Sequence, residues 1–192
     1  MEKAYIIAGV RTAVGKSKAG SAIAHVRPDD MGAVVVREAI ERSGIAPEKI
    51  QECVLGCAFP EAESGMNVGR IVALAIGMGD HIPGSTVNRF CSSGLESMAV
   101  VGAKMECGML GIAVAGGIES MSLIPMGGNK TCPNPSLSRE NPRAYTSMGQ
   151  CADNVAKDFG ITREECDAWG ARSNELACKA IAEGKFKDQI VP

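Results

Sequence analysis

Short apolar runs that alternate with helical patterns restrict the fold of this chain more than any other feature. Runs typical of buried strands occupy 3–10, 50–57, 86–90 and 110–115. The helical patterns between them begin after Asp29 or Asp30, at Asn67 and after Cys91. Alternation at this spacing requires crossover connections, which are right-handed and place the strands in a largely parallel sheet. The sequence therefore predicts an α/β core over 1–121.

The composition changes after this core. Residues 124–148 are rich in proline, glycine, asparagine and serine and show neither a helical nor a strand period. A loop of this length inside a compact protein is usually functional or forms a small subdomain. We therefore predict a second part of the chain, a loop subdomain over 122–192.

Helices return after the irregular stretch. A short helix is predicted over 151–159 and is ended by Gly160, and the capping box at 162–165 begins a longer amphipathic helix. The residues predicted to face inward on that helix are Cys166, Trp169, Leu176, Ala177 and Ala180. Residues 186–192 then have the pattern of a further strand, with nothing after them in the chain to pair with it.

Cys91 is the candidate nucleophile. It follows the third predicted strand and precedes a stretch, 95–105, that is apolar on nearly every side, as in a buried helix. The unpaired N–H groups of a first helical turn favour a thiolate, and a thiolate in a pocket is a nucleophile for acyl transfer. The small residues Ser92 and Ser93 and the strand-to-helix position favour this role over that of an inert core cysteine. We expect Cys91 in the middle of the molecule, at the carboxyl edge of the sheet with 116–120, where ligands bind in such folds.

Composition and charge exclude several functions. The formal net charge is −2, so no basic surface for nucleic acid is predicted. No apolar run approaches the roughly 20 residues that span a bilayer, and the start lacks a secretory signal, so a cytoplasmic protein is predicted. The spacing of Cys53 and Cys57 does not suit zinc, and His25 and His81 are distant surface candidates. We predict no metal site and reduced thiols.

Two nucleotide-binding patterns are incomplete. Residues 10–17 end in Gly-Lys-Ser, but a phosphate-binding loop requires glycine where Val10 stands, and no helical period follows Ser17. Gly116–Gly117 is not part of a G-x-G-x-x-G pattern. It indicates a turn or a close approach of backbone to a ligand instead.

The string 87–95, Val-Asn-Arg-Phe-Cys-Ser-Ser-Gly-Leu, strongly resembles the thiolases. Further segments similar to thiolase signatures follow the family's order along the whole chain: 11–15, 27–30, 116–122, 125–128 and 148–150. Arg89, and Ser147 rather than histidine before Met148, are more similar to the degradative 3-ketoacyl-CoA thiolases of fatty acid β-oxidation than to the biosynthetic acetoacetyl-CoA enzymes.

The resemblance implies the N-terminal half of a thiolase fold: a mostly parallel mixed sheet covered by helices, with a loop subdomain excursion after the fourth strand. It implies acyl transfer through a thioester on Cys91 and contact of Met148 with the pantetheine end of CoA, which the loop subdomain holds. CoA is then a co-substrate, no cofactor is needed, and the full-length family forms homodimers or tetramers.

The resemblance also has departures. Family members are about twice as long, and their C-terminal half carries a histidine, an asparagine and a second cysteine that complete catalysis. Neither His25 nor His81 stands in a matching context, so this chain is expected to be an N-terminal thiolase half that is inactive alone. It is then a truncated piece, a proteolytic remnant, or one subunit of a split enzyme whose partner is a separate C-terminal half. Cys151 and Asp153 replace the usual threonine and glutamate, a change we expect to be tolerated. The alternatives are a biosynthetic acetyl-CoA acetyltransferase and a non-catalytic thiolase-like acyl-CoA or lipid-binding protein.

Overall fold

The computed structural model describes residues 3–18 and 20–192. They form two compact units, one extending to Lys130 and including Asp188–Pro192, the other Thr131–Lys187. The domain boundary predicted after residue 121 stays a prediction, because a compact unit is not by itself a domain. Each unit is described separately below.

A parallel three-stranded sheet forms the centre of the first unit. Strand β2 (Glu52–Gly56) lies between β3 (Gly84–Val87) and β4 (Ala113–Gly117), and both pairings are parallel. Helix α2 (Val68–Ala75) connects β2 to β3, and α3 (Ser93–Glu106) connects β3 to β4. The predicted α/β fold with crossover helices is therefore confirmed.

The hydrophobic core lies where α1 (Pro28–Ser43) and α2 pack beside the central strand. Its members are Val36, Ile40, Ile50, Cys53, Leu55, Cys57, Val68, Val72, Ala73, Met78, Ile82 and Ile118. All five residues of β2 are buried, because a central strand is covered on both faces in this architecture. Burial of the valine, isoleucine, leucine and methionine side chains among them, each contributing about 1.5–3 kcal/mol, stabilises this unit.

Helix α1 ends as predicted but begins differently. Gly44 follows it with φ +67°, and its N–H donates to the carbonyl oxygen of Glu41. The residue before the helix is Arg27, and Pro28 occupies the first helical position, where its lack of an N–H costs nothing. Asp29 therefore lies inside the first turn, where its carboxylate accepts two hydrogen bonds from the Arg27 guanidinium at 3.0 and 2.9 Å.

The first predicted strand is wrong in its position. Strand β1 is only Arg11–Thr12, and it pairs in parallel with β5 (Ile190–Val191), which confirms a strand near the end of the chain. Within the described part of 3–10, Tyr5, Ile6 and Ile7 are exposed. A run of β-forming residues becomes a strand only beside a partner, and the described residues supply one only from Arg11 onward, where its N–H donates to Gln189.

Two other predicted strands are shifted. The predicted strand 86–90 is β3, which stops at Val87, and the predicted strand 110–115 is β4, which starts at Ala113. The N–H groups of Gly111 and Ile112 donate to the Gln51 side chain instead of extending the ladder. Strand β4 is half-buried, not fully buried as predicted, because it lies at the edge of the sheet.

The second unit contains α4 (Pro135–Glu140), α5 (Met148–Phe159) and α6 (Arg163–Ala182). Helix α5 begins three residues before its predicted start because the Ser147 hydroxyl accepts the N–H of Gln150 and caps it. It ends at Gly160 as predicted. The capping box of α6 is confirmed: Thr162 accepts the Glu165 N–H, and the Glu165 carboxylate accepts the Thr162 N–H.

The inward face predicted for α6 is wrong for this structure. Trp169 is 69% exposed and Leu176 is 49% exposed. Amphipathic spacing predicts that a helix has an apolar side, but it does not identify the surface that covers that side. Among the helices of the described residues, none is long and apolar enough to cross a membrane.

Candidate active site

Cys91 lies in a one-turn 3₁₀ segment, Phe90–Ser92, between β3 and α3. Its thiol is free and exposed. Ser92 precedes the first residue of α3, so the predicted position between a strand and a helix N-terminus is confirmed. Among the described residues, none accepts a hydrogen bond from the Cys91 N–H, which leaves this donor free for a ligand.

The backbone before Cys91 is held in an uncommon conformation. Phe90 has φ +46°, in the left-handed region that costs a bulky residue about 1–3 kcal/mol. Two side chains hold it there. The Phe90 N–H donates to Asn88 Oδ1 at 2.8 Å, and the Ser93 hydroxyl donates to the Phe90 carbonyl at 2.5 Å. The same Ser93 hydroxyl accepts the Arg89 N–H at 2.9 Å, so the turn is held from both sides.

The N-terminus of α3 lies directly on the carboxyl ends of the strands. A Cβ on Gly56, at the end of β2, would lie only 2.2 Å from the carbonyl carbon and oxygen of Ser93. The Ser97 hydroxyl lies 2.7 Å from the carbonyl oxygens of both Gly94 and Gly116, and so joins α3 to β4. Gly116 and Gly117 lie in β4, not in a turn, and a Cβ on Gly117 would lie 3.1 Å from the Cα of Gly94 in α3, so the close approach here is to α3; an approach to a ligand stays a prediction.

Helix α3 is not buried on all sides, and Cys91 is not in the middle of the molecule; both predictions are wrong. Its buried residues are Ser93, Ser97 and Val101, whereas Leu95 is 69% and Met98 is 41% exposed. The sheet covers one side of the helix, and no other described element covers the opposite side. The apolar composition of a helix does not determine whether a second layer is present.

Arg89, in the turn that carries Cys91, forms an ion pair with Glu96. The Arg89 guanidinium contacts the Glu96 carboxylate through two nitrogens, at 2.8 and 2.9 Å. This hydrogen bond and the charge of Glu96 raise the pKa of Arg89 further above its ordinary value. The pair joins the Cys91 turn to the first turn of α3 on the exposed side.

Glu119 is a site residue that the sequence reasoning did not single out. Its carboxylate accepts the N–H of Ala58 at 2.7 Å, and the Cys57 thiol lies 3.7 Å from its other oxygen. Burial and the Glu119 charge raise the pKa of Cys57 to about 11, and burial raises the pKa of Cys53 to about 12. Both buried thiols therefore stay neutral. The available signal was the position of Glu119 just beyond β4, at the carboxyl edge of the sheet.

The remaining sequence candidates take no part in the Cys91 turn. His25 and His81 are exposed, as predicted for surface histidines. Among the described residues between Lys16 and Pro28, where α1 begins, none is helical, which is incompatible with a phosphate-binding loop. The eight cysteines are free, and the described residues contain no group of three or more potential metal ligands.

Met148 is the first residue of α5 and is 64% exposed. It belongs to the second unit, whereas Cys91 belongs to the first. An exposed methionine at a helix N-terminus is available to a ligand, and its contact with CoA stays a prediction.

Proteins of known families match this chain over nearly its whole length. Residues 4–192 match the thiolase N-terminal domain. The chain is 49% identical over 192 residues to a 3-ketoacyl-CoA thiolase of Bacillus subtilis (strain 168), a match that covers 100% of this chain and 49% of that protein. It is 34% identical over 186 residues to the 3-ketoacyl-CoA thiolase of Psychrobacter cryohalolentis, covering 97% and 47%. For that of Acinetobacter baumannii (strain AYE), the identity is 35% with the same coverage.

The chain spans about half the length of these curated relatives. Within that half it has a parallel α/β sheet and a strand-to-helix turn that carries an exposed cysteine. Together, the domain match and this identity show that the chain belongs to the thiolase family.

Proposed function

We propose that this chain carries the nucleophile of a thiolase-type acyltransferase that cleaves 3-ketoacyl-CoA with CoA. The observation that supports the proposal most directly is the exposed Cys91 thiol, on a turn fixed at the N-terminus of α3. The relatives are named 3-ketoacyl-CoA thiolases, and this name supports the substrate class. The degradative direction and the cytoplasmic location predicted from the sequence belong to the same proposal.

The reaction proceeds in two acyl transfers. The Cys91 thiolate adds to the C3 carbonyl carbon of the substrate, and the C2–C3 bond breaks with its electron pair passing to C2. Protonation of C2 releases acetyl-CoA and leaves the shortened acyl group as a thioester on Cys91. The thiol of CoA then attacks this thioester, the acyl group passes to CoA, and the Cys91 thiolate is regenerated.

Two features of the turn assist these steps. The partial positive charge at the N-terminus of α3 lies next to Cys91 and attracts the negative charge that develops on the reacting groups. The Cys91 N–H, which has no acceptor among the described residues, is available to the oxyanion that forms on the substrate. A preorganised donor of this kind contributes about 3–4 kcal/mol in acyl transfer.

The other catalytic groups and the CoA-binding residues lie outside the Cys91 turn. An acid/base histidine, an asparagine and a second cysteine come from the half of the relatives' length that this chain does not cover, so residues 1–192 accept an acyl group but do not turn over alone. The loop subdomain holds CoA, with Met148 at the pantetheine end. CoA is a co-substrate, no cofactor takes part, and the complete enzyme is a homodimer or tetramer.

The test is to incubate the chain with 3-ketooctanoyl-CoA and map acyl adducts on its peptides by mass spectrometry. A hexanoyl group on Cys91 is expected. Cys91→Ser removes the adduct, whereas the matched control Cys107→Ser, at an exposed thiol just beyond the other end of α3, keeps it.

Adducts spread over several exposed cysteines would overturn the proposal, because they would show unselective thioester exchange. Acylation of Cys91 with full steady-state thiolysis would overturn the claim that the chain needs a C-terminal half. Stable binding of the acyl-CoA without any adduct, even with a C-terminal half added, would support the non-catalytic alternative. Faster acylation by acetoacetyl-CoA than by 3-ketooctanoyl-CoA would favour the biosynthetic one.

A further inference from the structure

Three hydrogen bonds connect Glu119 to the backbone N–H of Phe90, the residue before Cys91. The Glu119 carboxylate accepts the Ala58 N–H at 2.7 Å, and the Ala58 carbonyl accepts a hydrogen bond from Asn88 Nδ2 at 3.0 Å. The Asn88 Oδ1 accepts the Phe90 N–H at 2.8 Å. We call this series, from Glu119 through Ala58 and Asn88 to Phe90, the relay.

The Asn88 side chain can take only one orientation in the relay. Asn88 donates through its nitrogen to a carbonyl, so its oxygen must point the other way, toward the Phe90 N–H. The Ala58 carbonyl belongs to the next peptide group, which is joined through the Ala58 Cα to the N–H that the Glu119 carboxylate holds. A change at Glu119 therefore reaches Phe90 through two peptide groups and one amide.

The end of the relay is the strained residue. Phe90 has φ +46°, a conformation that a phenylalanine leaves unless its surroundings hold it. The hydrogen bond from its N–H to Asn88 is one of the contacts that hold it. Release of Phe90 into a right-handed conformation would change the direction of the backbone at Cys91, which is the next residue, and would move its thiol relative to the N-terminus of α3.

We propose that Glu119 is a positioning residue for the Cys91 thiol and acts on it through the relay. This inference rests on the proposed function of Cys91 as the nucleophile. Among the described residues, no hydrogen bond joins Glu119 to Cys91 directly, so Glu119 acts only through its partners. The neighbouring Cys57 thiol stays neutral, since its pKa is raised to about 11, and it leaves the carboxylate free to hold Ala58.

The test uses paired variants of this chain. Glu119→Gln keeps an oxygen acceptor for the Ala58 N–H, whereas Glu119→Ala removes it. Asn88→Asp keeps the acceptor for the Phe90 N–H but loses the donor to Ala58, so it breaks the relay at a second point. The double variant Glu119→Ala/Asn88→Asp shows whether the two sites act together.

The measurement is the rate at which iodoacetamide alkylates each cysteine, resolved by peptide mass spectrometry. Alkylation depends on the exposure and surroundings of a thiol, so the Cys91 rate reports a change in how the turn presents its thiol. Cys107 is exposed and serves as the reference thiol, and Cys53 is fully buried, so its protection shows that a variant is folded.

Glu119→Ala and Asn88→Asp are each expected to lower the ratio of the Cys91 rate to the Cys107 rate by about three- to tenfold, the loss equivalent to one hydrogen bond. The double variant should be no slower than the slower single variant. Glu119→Gln should restore the ratio to within about twofold of the unchanged chain, since an amide oxygen can replace the carboxylate as acceptor.

Two results would overturn the inference. One is a folded Glu119→Gln variant whose ratio of Cys91 to Cys107 rates is as low as that of Glu119→Ala. The other is a double variant whose decrease in this ratio equals the product of the two single decreases. If Cys53 becomes reactive in Glu119→Ala, that variant is not folded, and Asn88→Asp and Glu119→Gln provide the test. An unchanged Cys91 ratio in Asn88→Asp then overturns the relay.

Acylation by 3-ketooctanoyl-CoA is measured in parallel. An unchanged chain that is never acylated, with relay variants that still slow alkylation, would refute the proposed function and leave the relay standing.

Discussion

Replacement of Gly56 by alanine tests whether the contact between β2 and α3 positions the Cys91 turn. The new Cβ would lie 2.2 Å from the carbonyl carbon and oxygen of Ser93 and 2.6 Å from the nitrogen of Gly94. Non-bonded carbon atoms prefer about 3.5–4.0 Å, so the start of α3 must move by about 1 Å or more. Backbone atoms cannot rotate away as the end of a flexible side chain can.

Overpacking of this kind costs about 1–3 kcal/mol, and a backbone clash belongs at the upper end of that range. For a chain of this size, about 3 kcal/mol corresponds to a decrease in Tm of roughly 6–12 °C. Urea denaturation followed by circular dichroism measures the free energy of unfolding, and alkylation of Cys91 reports the turn. We expect Gly56→Ala to lower both the stability and the Cys91 rate.

Gly102→Ala is the matched control. Gly102 lies within α3, and a Cβ there meets nothing within 4 Å. Alanine at an open helical position stabilises by about 0.4–1 kcal/mol, so this control should be slightly more stable than the unchanged chain. A Gly56→Ala variant within about 0.5 kcal/mol of the unchanged chain, the limit for substitutions without a structural mechanism, would refute the reasoning.

Two further predictions concern α1 and the buried thiols. Gly44→Ala should destabilise the chain by about 1 kcal/mol in urea denaturation, because Gly44 has φ +67° and alanine is strained there; Gly9→Ala, with open space and no positive φ, is its control. Burial raises the pKa of Cys57 from 9.0 to about 11, so the unfolded chain loses this proton first as pH rises. The stability contributed by the neutral thiol is therefore fully present below pH 9.0 and should fall from there to about pH 11. Cys57→Ala should flatten that decline, and an equally steep decline in this variant would contradict the prediction.

Much of the fold could be predicted from local patterns. The alternation of apolar runs and helical periods predicted the parallel sheet, since a crossover helix between successive strands leaves few other arrangements. Gly44 and Gly160 end helices because both adopt positive φ, and the capping box at 162–165 is satisfied within four consecutive residues. The helix ends and the capping box depend only on residues close in the sequence, so a short stretch of sequence is enough to predict them.

The wrong predictions depend on residues far apart in the chain. Residues 3–10 have a strand composition, but a strand forms only where another strand lies beside it. Strand β4 is half-buried because it lies at the edge of the sheet. The composition of a strand does not determine its position in the strand order. The apolar faces of α3 and α6 have no cover among the described residues, since hydrophobic spacing predicts a face without specifying its partner.

By itself the sequence determined that Cys91 stands between a strand and a helix, because strand, turn and helix follow one another directly. Only the tertiary structure decided how that turn is held. Gly56 admits the backbone of α3, and Glu119 reaches Ala58 across 61 positions of the sequence. Such contacts arise when parallel strands bring their carboxyl ends to one edge, a juxtaposition that no local pattern encodes.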